Sequence, residues 1–252
     1  MKVNLLKILV GFIVLFCLYH GAEYAILFKN STAGFLGFQF LFFLAAWLIA
    51  RWQFRTGLSA WGLDTRKYFR VHLVAGMLMG ILLYGITFSI SLAIGAEEII
   101  GKPNYGAAIF PFLLFIVGNF LSSFSEDILT RGYIFKHLSG GANPLLILFI
   151  SAAVYLLNHI YRLDNGGETR LYLFVLGVLY VVPLIVTKRL WFTGGMHWAG
   201  NCFFYFTHGI IKTQDGQNPF TANFILVVCA LMFILVNYGV LKWLQKRWAP
   251  DD

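Results

Sequence analysis

The chain has 252 residues, of which 59% are hydrophobic, 18% aromatic and only 12% charged. A soluble domain usually carries about 25% charged residues, so the charges here are too few to cover a water-soluble globule. The composition therefore excludes a soluble globular domain, and it also excludes a disordered chain or a small disulfide scaffold. It indicates a polytopic membrane protein.

Apolar stretches of roughly 20 residues follow one another along the chain, and each is long enough to cross a bilayer as an α-helix. Their predicted bounds are 5–27, 34–52, 72–95, 107–124, 144–162, 170–188, 191–211 and 221–243. No linker and no repeat interrupts them. The predicted fold is an all-α polytopic membrane helix bundle with about eight transmembrane helices, in which residues 1–252 form a single integral membrane domain.

The distribution of charge predicts the orientation of this bundle. The formal net charge is +8, and 14 of the 19 Lys and Arg residues fall on the side that carries both predicted termini. By the positive-inside rule, that side is cytoplasmic. The basic residues also attract anionic lipid headgroups, so the lipid bilayer is the expected partner and no nucleic acid is required. We expect a multi-pass protein of a bacterial cytoplasmic membrane.

The first polar cluster lies at the end of the fourth predicted span, where Glu126 and Asp127 precede Arg131 by five and four residues. Ionisable groups inside a bilayer cost several kcal/mol by insertion scales, and they usually face the bundle interior and mark function. Neighbouring residues point about 100° apart on a helix, so only one carboxylate need face inward. The alternative is a charge network at the end of a span.

Two further clusters pair polar residues four positions apart, which places each pair on one helix face. Tyr155 and His159 form the pair in the fifth span, and His197 and Asn201 form the pair in the seventh. A neutral histidine hydrogen-bonded to a neighbouring helix would also explain His159. Close packing through the neighbouring glycines is the alternative for the seventh span.

Other polar and sulfur-bearing residues receive structural interpretations. His20 and Glu23 share a face of the first span and are interpreted as an interhelical polar pair. Cys17, Cys202 and Cys229 lie inside predicted spans without metal-ligand spacing, so we expect them to be small buried apolar residues.

The three clusters together supply a carboxylate, two imidazoles and an amide from three helices. A carboxylate can act as general base on a water molecule, and His and Asn can donate hydrogen bonds to an oxyanion. Glu126, His159 and His197 are also the residue types of a catalytic His₂Glu zinc site, and the residues do not decide between the two chemistries. If the helices stood upright and level, the depths of these groups would differ by roughly 14 Å.

At these residues the chain resembles the CPBP family of CAAX-processing and bacteriocin-processing intramembrane proteases, also called ABI-type proteins. The family pattern is Glu-Glu-x-x-x-Arg, then Phe-x-x-x-His, then His-x-x-x-Asn or Asp, on an eight-helix bundle. Here the three motifs read Glu126-Asp127-x-x-x-Arg131, Tyr155-x-x-x-His159 and His197-x-x-x-Asn201. The resemblance covers about 107–211, which we take as the protease-like core.

The resemblance implies a role for each motif residue. Glu126 would activate the water and His159 would help to position it, while His197 and Asn201 would stabilise the oxyanion. Three residues would support this site: Asp127, Arg131 and Tyr155. Asp127 replaces the second Glu of the family pattern, and Tyr155 replaces Phe, which adds a hydroxyl that could hydrogen-bond His159.

The implied function is an intramembrane endopeptidase, similar to the CAAX prenyl endopeptidases, that opens toward the cytoplasm. It would hydrolyse a peptide bond in a membrane-associated protein or peptide, which in part of the family is prenylated. The cofactor is unassigned, with zinc as the candidate metal. The alternative is a non-catalytic membrane adaptor or bacteriocin-immunity protein, which the change at Asp127 favours. A small transporter with the buried acids as a proton relay is a third interpretation.

Overall fold

The computed structural model describes residues 4–65, 68–101 and 103–248. These residues form helices and one small sheet. The helices are α1 (Leu5–Leu27), α2 (Thr32–Phe54), α3 (Phe69–Ala93), α4 (Tyr105–Asp127), α5 (Tyr133–Leu138), α6 (Pro144–Asn158), α7 (Gly167–Thr187), α8 (Trp191–Phe204) and α9 (Ala222–Trp248). A 3₁₀ turn spans Leu58–Trp61, and π-helical stretches span Ile128–Gly132 and Tyr205–Ile210.

The predicted all-α polytopic bundle is confirmed, with one addition. Strands β1 (Glu97–Ile99) and β2 (Thr213–Asp215), which the sequence analysis did not predict, pair antiparallel between two connections. The first π-helical stretch joins α4 and α5 into one 34-residue rod, Tyr105–Leu138. The second continues α8 to Ile210.

Length and composition identify this chain as a multi-pass integral membrane protein. Within the described residues, six helices are long and apolar enough to cross a bilayer: α1, α2, α3, the α4–α5 rod, α7 and α9. The other two predicted spans are helical but do not meet this standard. Helix α6 has only 15 residues, and α8 carries the His197 and Asn201 pair. The two helices that do not qualify as membrane spans, α6 and α8, are thus the ones that carry the second and third motifs.

Hydrogen bonds between helix termini define one end of the bundle. The amide of Gln53 donates to the Lys7 carbonyl at 2.7 Å, its oxygen lies 3.0 Å from His137 Nε2, and Gln245 donates to the Val186 carbonyl at 3.0 Å. We call this the basic end. Its described charged residues are Lys7, Arg51, Arg55, Arg70, Lys136, Lys188, Arg189, Lys242, Lys246 and Arg247, with Asp64 as the acid.

The opposite end carries the small sheet and most of the acidic residues. Ile100 N–H donates to the Lys212 carbonyl at 3.2 Å beside the β1–β2 pairing, and the rings of Phe28 and Tyr161 lie 5.1 Å apart. We call this the acidic end. Its described charged residues are Glu23, Glu97, Glu98, Asp164, Glu168 and Asp215, with Lys29, Arg162, Arg170 and Lys212.

Helix α8 approaches α3 closely because glycines line their contact. A β-carbon on Gly76 would lie 2.0 Å from the Phe192 carbonyl oxygen, and one on Gly80 would lie 2.2 Å from that of Met196. On α8, a β-carbon on Gly195 would lie 2.4 Å from the Leu73 carbonyl oxygen. Backbones can approach to this distance only where a side chain is missing. The expected glycine packing is therefore present, and it fixes the helix that carries His197.

Helix α8 does not begin level with the other helices, which removes the expected depth gap. Leu190, just before α8, donates its N–H to the Gly62 carbonyl at 2.9 Å. A β-carbon on Gly132 would lie 3.0 Å from Leu190 Cδ1, so α8 begins level with Gly132. Gly132 lies six residues before the end of α5, or roughly 9 Å at 1.5 Å per residue. His197 is thereby carried deep enough to meet Glu126.

Candidate active site

Glu126 stands where α4 passes into its π-helical stretch. The Glu126 carbonyl accepts from the Thr130 hydroxyl at 2.8 Å, and the side chains of Asp127 and Arg131 are fully buried. Such local widenings of a helix occur frequently at functional sites, because they turn a side chain without ending the helix. Here the stretch begins directly after the two carboxylates of the first motif.

His159 lies at the end of α6 rather than within a span. Its Nδ1 is 2.8 Å from the Tyr155 carbonyl, and its N–H donates to the Leu156 carbonyl at 3.1 Å. His20 of α1 places Nε2 2.9 Å from the Asn158 carbonyl. A helix end in lipid needs partners for its last carbonyls, and these two histidines provide them. Helix α6 therefore ends at Asn158, four residues before the predicted end of the span.

Three groups surround the Glu126 carboxylate, which is buried. The amide of Asn158 donates to Oε1 at 3.1 Å. His159 Nδ1 lies 3.7 Å from Oε1, and His197 Nε2 lies 3.6 Å from Oε2. The last two distances exceed a direct hydrogen bond but allow one water-sized group to contact both partners. The structure thus brings together the three motif residues from α4, α6 and α8.

Asp127 and Arg131 orient His197. Asp127 Oδ1 lies 3.2 Å from His197 Nδ1 and also accepts a hydrogen bond from the Arg131 guanidinium. A carboxylate only accepts, so Nδ1 carries hydrogen and Nε2 is the nitrogen turned toward Glu126. The Arg131 guanidinium lies over the rings of Tyr155 and Tyr180, at 4.3 and 5.0 Å from their centroids. Asp127 reaches both partners although it is one methylene shorter than the Glu of the family pattern.

Tyr155 contacts the site mainly through its ring and main chain. Its ring meets that of His159 edge to face, with centroids 4.7 Å apart. The same ring lies under Arg131, which explains an aromatic residue at this position of the motif.

Asn201 lies one turn beyond His197 on α8 and contacts Asn119 of α4. Its amide donates to Asn119 Oδ1 at 3.4 Å, while the amide of Asn119 donates to the Trp198 carbonyl at 3.0 Å. Ser123 also donates to Asn119 Oδ1 at 3.4 Å. The second hydrogen of the Asn201 amide is not used by these contacts.

One cavity of about 560 Å³ contains all four predicted catalytic residues in its lining. Glu126, His159, His197 and Asn201 lie on its wall. The remaining lining residues include Tyr19, Glu23, Tyr84, Asn119, Arg162, Tyr172, Phe204, His208, Gly209 and Asn223. Four polar groups from three helices thus converge on one space, as the motif hypothesis requires. Their catalytic roles stay predictions.

One expectation about burial is wrong. Cys17 is exposed and Cys202 is half-buried, while only Cys229 is buried as expected. Among the residues that line the cavity, Arg162 and Gly209 are exposed, and both lie at the acidic end.

The residues do not fit the zinc alternative. Among the residues that the structure describes, no three His, Cys, Asp or Glu side chains are placed to hold a metal ion. The nitrogen that His159 turns toward Glu126 is Nδ1, which faces the Tyr155 carbonyl at 2.8 Å. Because a carbonyl only accepts, this nitrogen carries hydrogen and has no lone pair for a metal.

Sequence reasoning missed several residues that complete the site. Asn158 was overlooked beside His159, and its position next to a motif histidine was the available signal. Asn119 lies seven residues before Glu126, two helical turns away on the same face, which was a second signal. His20 forms the expected interhelical contact, but with the main chain of α6, and Glu23 lines the cavity.

The fold and the cavity define a class of integral membrane protein in which acid, imidazole and amide groups converge inside the bundle. Residues 108–203 match the family model described as Rce1-like, type II CAAX prenyl endopeptidase Rce1-like. This match confirms the predicted resemblance over that segment, and it supports an intramembrane protease in general terms. Searches of curated proteins and of solved structures found no match to the chain.

Proposed function

We propose that the chain is an intramembrane endopeptidase of the glutamate type, which hydrolyses a peptide bond in a membrane-associated protein or peptide. The observation that carries the proposal is the spacing between the Glu126 carboxylate and the rings of His159 and His197. Two histidine nitrogens stand 3.6 and 3.7 Å from its carboxylate oxygens, inside a cavity large enough for a peptide segment. The family match over 108–203 supports the same reaction class.

In the proposed reaction, one water lies beside Glu126 Oε2 and His197 Nε2 on the cavity side and contacts both atoms. Glu126 takes a proton from this water while the water oxygen bonds to the carbonyl carbon of the substrate. The carbon–nitrogen bond then breaks, and Glu126 gives the proton to the leaving amine. Asn158 holds the other carboxylate oxygen, so the reacting oxygen keeps its direction.

Two groups stabilise the oxyanion in this proposal. Asn201 offers the amide hydrogen that its contact with Asn119 leaves free, and His197 Nε2 donates when the ring is protonated. Preorganised donors of this kind are each worth about 10²–10³ in rate. Asp127 and Arg131 act as positioning residues, since they fix the His197 ring from behind.

The test uses the full chain in liposomes with a quenched fluorescent peptide that carries a farnesylated Cys followed by three residues. A matched peptide without the farnesyl group tests whether the lipid is recognised. Glu126→Gln removes the base and keeps the shape, so cleavage should fall by about 10²–10⁴. Glu98→Gln makes the same change at an exposed position of β1, and its cleavage rate should equal that of the parent.

Equal cleavage by the parent and Glu126→Gln would remove Glu126 from the role of base. Absence of cleavage by the parent, together with a cellular phenotype that Glu126→Gln still rescues, would favour the non-catalytic adaptor instead. Both variants are checked for folding by their elution as a single species in detergent.

A further inference from the structure

The ring of Tyr180 lies against the ring of His197. The two ring centroids are 5.0 Å apart and the ring planes are inclined by 28°, which is a stacked arrangement. Tyr180 is fully buried and lies on α7, which carries none of the three motifs. Tyr180 does not line the cavity, so it does not touch a substrate that lies there. Any influence of Tyr180 on the reaction must therefore act through His197.

Helix α8 holds the main chain of Tyr180 next to His197. The Thr193 hydroxyl donates to the Tyr180 carbonyl at 2.8 Å, and Thr193 lies one turn before His197 on the same face of α8. Pro183 follows three residues after Tyr180 within α7. A proline weakens the backbone hydrogen bonds of the turn before it, and a threonine hydroxyl can satisfy a carbonyl there. The contact between the two rings is consequently fixed from both helices.

The ring of Tyr180 also lies near the Arg131 guanidinium. Arg131 Cζ is 5.0 Å from the Tyr180 centroid and 4.3 Å from the Tyr155 centroid. Asp127 Oδ1 is within hydrogen-bond distance of both the Arg131 guanidinium and His197 Nδ1. When His197 is protonated, this one carboxylate is therefore shared by two cations. The face of an aromatic ring attracts a cation, most strongly where water is excluded, and the buried Tyr180 ring supplies such a face.

We propose that Tyr180 is a positioning residue of the reaction, whose ring orients His197 and stabilises its protonated form. This proposal rests on the proposed function for the step in which the protonated His197 Nε2 donates to the oxyanion. Asp127 holds one edge of the imidazole by a hydrogen bond, and the Tyr180 ring fixes its plane, so Nε2 keeps its direction toward Glu126.

The test compares two substitutions of Tyr180 in the full chain, with the farnesylated peptide as substrate. Tyr180→Phe keeps the ring, and the buried hydroxyl that it removes has no partner in hydrogen-bonding geometry among the described residues. Its kcat and KM should equal those of the parent. Tyr180→Leu removes the ring, and kcat should fall by about 5- to 30-fold, the factor expected for the loss of a desolvated cation–π contact. KM should change little, since Tyr180 touches no substrate.

Tyr133→Leu is the matched control for the loss of a buried, stacked ring. Tyr133 is 1% exposed and stacks on Trp61 with the same centroid distance of 5.0 Å and the same inclination of 28°, outside the cavity lining. Removing its ring should lower stability without lowering kcat per folded protein. Tyr180→Met repeats the test with a flexible side chain that fills irregular space. The proposal fails if Tyr180→Leu keeps the parent's kcat, or if Tyr180→Phe or Tyr133→Leu loses as much.

A spectroscopic measurement tests the contact without any use of activity. The full chain is prepared in detergent micelles with its histidines labelled at ring carbon Cε1, and the His197 signal is the one absent from His197→Gln. The ring current of Tyr180 displaces this signal, so the parent and Tyr180→Phe should share one position and Tyr180→Leu should differ. One position for all three would overturn the stacking. No cleavage by the parent, with the signals as expected, would contradict the proposed function and leave the contact in place.

Discussion

Two histidines on one helical rod show how a saturated polar contact differs from an unsaturated one. His197 and His208 are eleven residues apart, about three turns, and both line the cavity. His208 Nε2 contacts Glu97 Oε1 at 2.7 Å, and its Nδ1 lies 2.8 Å from the Thr207 hydroxyl. His197 has one close carboxylate, at 3.2 Å, and a second at 3.6 Å.

The difference separates a saturated contact from one that the proposed reaction can use. Both nitrogens of His208 have partners within hydrogen-bond distance, so the ring ties β1 to the α8 rod and has no free position for a substrate. His197 uses Nδ1 for Asp127 and leaves Nε2 facing Glu126 across a gap. In the proposed reaction the reacting atom must lie about 3 Å from both the base and the donor, and of these two histidines His197 is the one that leaves such a position.

The largest expected effect is on catalysis through His197. His197→Gln should lower kcat/KM for the peptide by about 10²–10³, because the oxyanion loses the charged donor at His197 Nε2. The control is His137→Gln at the basic end, where the ring contacts Gln53 and the Tyr133 carbonyl outside the cavity. Steady-state kinetics per folded protein is the measurement. Equal losses in both variants would show that His197 is only structural.

The next effect is on stability at Asp127. Asp127→Asn leaves the buried Arg131 without its carboxylate, which should lower the free energy of unfolding by about 3–5 kcal/mol. Activity should fall as well, since a neutral amide oxygen is a weaker acceptor for the His197 ring than the carboxylate. Asp164→Asn makes the same change in an exposed connection and should leave stability unchanged. Denaturant unfolding in detergent micelles measures both, and an unchanged midpoint for Asp127→Asn would mean that Arg131 finds another partner.

The sequence was sufficient for the parts of the site that a single helix determines. Residues four apart share a helix face, so the spacing alone places His197 and Asn201 together. The order and gaps of the three motifs indicated that separate helices meet. The long apolar runs made the bundle predictable for a similar reason, since each run can satisfy its backbone only as a helix.

The remaining features of the site depend on how the helices cross one another, and the sequence of a single apolar segment does not determine that. The contact of Asn119 with Asn201 arises where α4 meets α8. The depth of α8 depends on the fit of Leu190 against Gly132. The predicted fifth span was too long because apolar residues continue past His159, whereas α6 ends there once side chains take its last carbonyls.

A smaller effect is expected at Asn158, which tests whether Glu126 needs its third contact. Asn158→Leu keeps the size of the side chain and removes the hydrogen bond to Oε1. A hydrogen bond to a charged group is worth about 1.5–3 kcal/mol, so kcat should fall by about 10- to 150-fold with little change in KM. Asn165→Leu in the connection after α6 is the control. A change confined to KM would place Asn158 in substrate binding instead.

The smallest expected effect is on the pair of His208 and Glu97, and it tests the comparison with His197 most directly. Glu97→Gln keeps an acceptor for His208 Nε2 but removes the charge, and the His208 side chain is 27% exposed. Partial exposure screens such a pair, so we expect a loss of only about 1 kcal/mol in stability and less than about a threefold change in kcat/KM. Unfolding in micelles and the peptide assay on the same sample measure both quantities. If Glu97→Gln reduced cleavage as strongly as His197→Gln, the closed 2.7 Å contact would itself be part of the reaction, and an open gap would no longer distinguish the reactive histidine from the structural one.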